Sequence, residues 1–177
     1  VLVVPVAGQA QTTGGTRHAI LIQGAPGEPQ FATQHRGWLG SLTSTLQEKF
    51  GFDATRIVRL SERPVAGEQR ATAEVVKAEL AKLATTTSGD IVFICLIGHG
   101  TGEGAAAKFN LVGPDLAVSE WAALLAPIKA RVVFVNTASV SFPFVEGLTG
   151  DRRIVISATN IPAQRYATVF AESFIQA

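Results

Sequence analysis

Apolar positions along this chain switch between two periodicities. Residues 18–23 (HAILIQ), 56–60 (RIVRL), 91–97 (IVFICLI), 131–136 (RVVFVN) and 153–158 (RIVISA) are short runs rich in Ile and Val. Each predicts a β-strand. The run at 91–97 does not alternate in polarity, so both of its faces are expected to be buried. Between the runs the spacing turns helical. Leu39, Leu42, Leu46 and Phe50 mark a helix over 31–50, with Gly51 just past its end. Val76, Leu80 and Leu83 form the stripe of a second helix over 68–84, with Lys77, Glu79 and Lys82 off it. A short helix over 118–125 ends before Pro127, another turn of helix is expected over 142–148, and residues 166–176 read as the last helix. There is no internal repeat.

Strands alternating with helices imply an α/β domain built on a parallel sheet, with right-handed crossovers and helices on both faces. All strands of such a sheet end on one edge, and ligand sites of open α/β sheets form at that edge. The loops after Gln23, Ile97, Asn136 and Ala158 are therefore expected to meet at one rim. Adjacent strands are only about 4.8 Å apart, so residues just past neighbouring strands can touch.

Composition narrows the partners. The 177 residues carry a net charge of +1, with 47% hydrophobic and 16% charged residues. A nearly neutral chain has no electrostatic footprint for nucleic acid, and the low charge argues against disorder. No apolar run reaches the roughly 20 residues of a membrane helix. The single Cys95 excludes an intrachain disulfide and a multi-cysteine metal site. His18, His35 and His99 do not show metal-ligand spacing. The opening run VLVVPVAGQA, ending in small residues at Gly8 and Ala10, reads as the tail of a secretory signal peptide. Residues 1–17 are thus expected to be a leader remnant and spacer of an exported protein, and 18–177 the folded domain.

Two loops on the expected rim carry chemistry. After the most apolar strand comes Gly98-His99-Gly100-Thr101, and after the next comes Thr137-Ala138-Ser139-Val140-Ser141. Imidazole is the usual general base near neutral pH, and a flanking glycine N–H can donate to an oxyanion. The bland alternative is that His99 satisfies a loop carbonyl and Ser139 caps a short helix. Gly98, Gly100, Gly102 and Gly104 do not make a dinucleotide fingerprint, because they follow a later strand and run into Ala105-Ala106-Ala107. No Gly-x-Ser-x-Gly elbow or P-loop is present.

The run IVFICLIGHG resembles the histidine motif of legumain-like cysteine peptidases, which share their fold with caspases. In that family a strand ending in His-Gly is followed, one βα unit later, by a strand ending in the nucleophile motif, and VVFVNTASVS holds that place here. The resemblance covers residues 18–177. It implies a three-layer, caspase-like α/β fold with a mostly parallel sheet, a peptide or protein substrate, and no metal or other cofactor. It makes His99 the base and Ser139 the nucleophile, with the backbone N–H groups of Gly100 and Ser139 as oxyanion donors. His35, Arg36, Thr137, Asn160 and Arg165 fall where the family contacts substrate.

The chain departs from the family's pattern at the reacting atom. Ser139 stands where the family has cysteine, Thr137 where it has an acidic residue, and Ser141-Phe142 where it has Ser-Gly. The loop after the first strand holds Glu28 and Gln30 where legumain has a catalytic Asn. A thiol beside an imidazolium can rest as an ion pair, whereas a serine hydroxyl needs a neutral base oriented by a third group. Cys95, four residues before His99, is expected inside its strand and away from the rim. Two functions follow: peptide hydrolysis at a His99/Ser139 dyad, or an inactive pseudopeptidase that binds a peptide or protein. The sequence is silent on oligomeric state.

Overall fold

The computed structural model describes residues 14–161 and 168–176. In chain order the elements are β1 (Arg17–Gln23), α1 (Pro29–Glu48), β2 (Ile57–Ser61), β3 (Gln69–Arg70), α2 (Ala73–Lys82), β4 (Ile91–Ile97), β5 (Gly100–Thr101), β6 (Lys108–Phe109), β7 (Leu116–Ala117), α3 (Val118–Leu125), β8 (Arg131–Asn136), α4 (Phe142–Leu148), β9 (Arg153–Ser157) and α5 (Phe170–Gln176). Six strands form one sheet in the order β3-β2-β1-β4-β8-β9, and every pairing within it is parallel. The expected α/β fold, a central parallel sheet layered between helices, is the fold of this chain.

Residue alternation on the strands sorts the two faces. Ile20, Ile22, Val92, Ile94, Leu96, Val132 and Phe134 point to the face covered by α2, α3 and α4. Ala19, Leu21, Cys95, Ile97 and Val135 point to the face covered by α1 and α5. The central strand β4 is buried on both sides, as its unbroken apolar run predicts. Cys95 is fully buried, and burial pushes its thiol pKa up, so it is inert packing material.

Three expected elements differ. The helix expected over 68–84 begins only at Ala73. Residues Gln69–Arg70 instead pair with β2, and the Thr72 hydroxyl accepts from the Val75 N–H as the N-cap. The glycine-rich loop after β4 is not plain loop: β5, β6 and β7 form a small antiparallel sheet against the rim. In the helix expected over 166–176, Thr168 and Val169 are not helical and α5 starts at Phe170, while residues 162–167 lie outside the described residues. The leader-like run at 1–10 also lies outside them. Among the described residues, no helix is long and apolar enough to cross a membrane.

Candidate functional site

The strand ends converge as the topology requires. β4 and β8 pair in register through Leu96 and Asn136, so the residues that follow them are neighbours. The turn after β8 is built by its own polar side chains. Asn136 Oδ1 accepts from the Ala138 N–H, and the Thr137 N–H and hydroxyl both donate to the Leu96 carbonyl. Val140 then takes a left-handed backbone conformation, φ 56°, which is strained for a β-branched residue. The buried Ser141 holds that turn in place, its hydroxyl accepting from the N–H groups of Ala158 and Thr159. Ser141 therefore anchors the turn to the end of β9.

Ser139 is presented by this turn and meets the backbone of the His99 loop. Its hydroxyl donates to the Gly100 carbonyl at 3.3 Å and accepts from the Gly100 N–H at 3.4 Å. Both bonds are long. The residue is only 5% exposed. The two loops pack so closely that a Cβ on Gly100 would stand 2.2 Å from the Ser139 carbonyl oxygen, so only glycine fits. The Gly100 N–H, expected as an oxyanion donor, is thus directed at the Ser139 hydroxyl itself.

The His99 side chain packs on α1. Its ring packs edge-on against Phe31 at 4.7 Å and lies 5.3 Å from the ring of His35, both from the start of α1. Among the described residues no hydrogen bond joins the His99 imidazole to the Ser139 hydroxyl, and no carboxylate pairs with His99. His35 is 3% exposed, stacks on Trp38 and Phe31, and has a buried Nδ1 without a hydrogen-bond partner. Burial, and secondarily the neighbouring His99, pull its pKa from 6.5 down to about 4, so it is neutral across the physiological range. His35 and His99 line a chamber of about 20 Å³ with Gln34 and Trp38 of α1, Thr137 and Thr168.

The remaining sequence candidates are dispersed. Arg36 is turned toward the end of β2, where Glu68 binds its guanidinium at 2.6 and 2.8 Å and the Arg63 carbonyl accepts a further bond. This ion pair occupies the fork that a substrate carboxylate would need. Thr137 does line the chamber, but its hydroxyl is spent on Leu96. Asn160 is exposed beyond the end of β9, and Arg165 lies outside the described residues. Glu28 and Gln30 bond to each other. Phe31, Gln34 and Trp38 were not singled out by sequence. Their signal was present in the i, i+4 spacing of Phe31 with His35, which puts both on one face of α1.

No family profile matches the chain and no curated protein is similar to it. Among solved structures, the chain is similar to the crystal structure of protein GSU0716 from Geobacter sulfurreducens, with a TM-score of 0.51 and 18% identity. The match covers 70% of this chain and 50% of that one, so the chain spans half the length of that protein. At this identity the likeness speaks for the α/β fold alone.

Proposed function

We propose that this chain is a legumain-like peptidase-family domain that has given up hydrolysis and uses its sheet rim to bind a peptide or protein segment. One observation carries the reading: the Ser139 hydroxyl is engaged by both main-chain groups of Gly100, while the His99 ring is packed on Phe31 and His35. A serine nucleophile needs a neutral base within about 2.6–3.2 Å and a group that orients that base. His99 has an aromatic and a second imidazole as neighbours where an orienting carboxylate would be required. The loops, the strand ends and the surface they frame persist without that chemistry.

A second reading is slow serine-type hydrolysis with His99 as base and Ser139 as nucleophile. The contact of Ser139 with the residue directly after His99 favours it, because a ring rotation at His99 is a small step compared with rebuilding the rim. Assay of the chain against a fluorogenic peptide library, with binding of the same peptides followed by fluorescence anisotropy, separates the two. Binding in the micromolar range with no turnover above the His99→Ala background is the expected result. Turnover that disappears in both His99→Ala and Ser139→Ala supports the second reading and overturns the first.

A further inference from the structure

The geometry points to a second binding site, at the opposite ends of the strands from the rim, for a small carboxylate with an apolar tail, a medium-chain fatty acid being the first choice. A cavity of about 640 Å³ opens there against the first residues of β1 and β4, between the last turns of α1 and α5. Small-molecule sites span roughly 300–1,000 Å³. The lining is mostly apolar, with Leu46 of α1, Phe52, Phe93 of β4, Val133 of β8 and Phe174 of α5. Central strands of a parallel sheet normally bury both faces. Cys95 and Val135 on this face are fully buried. Phe93 and Val133, paired in register two residues earlier on the same face, are only half-buried. The helices thus leave the start of this face open, and the cavity is the space they leave.

Charge decides the head group. Arg17 and Lys49 both line the cavity and both are exposed. Among the described residues no carboxylate lines it, and neither cation is in an ion pair. The Arg17 guanidinium donates to the Phe50 carbonyl just past α1, which offsets the negative end of that helix. The Lys49 ammonium has no such bond and is left for an anion. A carboxylate seated beside Lys49 gains a charge-assisted hydrogen bond, and the remaining N–H groups of Arg17 add to it. Its tail then covers Phe93 and Val133 and removes apolar surface from water. A neutral head group forgoes the charge, and a cationic one is repelled by both side chains. The site shares no residue with the His99 and Ser139 loops, so it stands or fails independently of peptide binding at the rim.

Calorimetric titration of the full chain with sodium octanoate, decanoate and dodecanoate, each below its micelle concentration, tests the proposal. The expected result is one molecule per chain, with affinity rising about fourfold per added methylene. Decanol should bind at least fivefold more weakly than decanoate, and decylammonium more weakly still. Lys49→Glu should weaken decanoate at least tenfold, while Lys49→Arg retains it. Val133→Phe, which narrows the cavity without adding a polar group, should also weaken it at least tenfold. NMR of the wild-type protein needs no variant to fold: decanoate should give nuclear Overhauser contacts to Phe93 and Val133. Absence of binding tighter than millimolar, equal affinity across the chain lengths, or decylammonium binding as tightly as decanoate would overturn the proposal. So would contacts from residues 1–6 to Phe93 in the ligand-free protein, or a dimer through this face in sedimentation that decanoate does not dissociate, because the cavity would then belong to the chain itself.

Discussion

At His35 burial and a neighbouring imidazole both act against the charged form. In the unfolded chain its imidazole has the ordinary pKa of 6.5, and in the folded protein about 4. The unfolded state therefore takes up a proton first as the pH falls, and stability drops between about pH 6.5 and pH 4. His18 is lowered by burial and by Arg56, and adds to the loss in the same direction. The fall assigned to His35 is about 2 kcal/mol between roughly pH 7 and pH 5. Urea unfolding of wild type and His35→Phe across this range measures it. The variant should lose most of that dependence, and parallel curves for the two proteins would contradict the account. This behaviour was not legible in the sequence, where the resemblance makes His35 a substrate contact rather than a buried side chain. Its burial comes from Phe31 and Trp38 closing over it and from His99 arriving from β4, which is a tertiary event.

At the scale of elements, the strand periodicity was readable and the edge was not. The runs at 91–97 and 131–136 coincide with β4 and β8, because nearly continuous apolar sequence admits few other outcomes in a sheet covered on both sides. The misread segment at 68–72 is governed by one side chain. The Glu68 side chain is 3% exposed and takes bonds from Arg36, the Ser61 hydroxyl and the Val65 N–H. Burial alone would raise its pKa, but these donors outweigh it and hold the carboxyl below the usual range. That cluster ties α1 to the end of β2 and extends the chain into β3, so helical spacing loses to a tertiary hydrogen-bond network. Glu68→Ala removes the acceptor of the buried Ser61 hydroxyl and the counter-charge of Arg36, which keeps its bond to the Arg63 carbonyl, and should cost about 1–2 kcal/mol in a chemical denaturation curve. A loss below about 0.5 kcal/mol would show that the cluster is decoration.

For the molecule as a whole, the parallel sheet explains why two short motifs at positions 99 and 139 meet at all, and that meeting was foreseeable from topology. What topology could not supply is the direction each side chain takes once there. The left-handed Val140 and the Gly100 contact aim the Ser139 hydroxyl at main chain, and the His99 ring packs on the aromatic face of α1. The central claim is that the rim lacks working nucleophile chemistry beyond the identity of one atom. Ser139→Cys tests it most directly, since it restores the sulfur found in the resembled family and changes nothing else. The account predicts that this variant, assayed under reducing conditions with fluorogenic peptides, stays within about twofold of the His99→Ala background. Thiol-dependent cleavage at least a hundredfold above that background, abolished by adding His99→Ala, would contradict it.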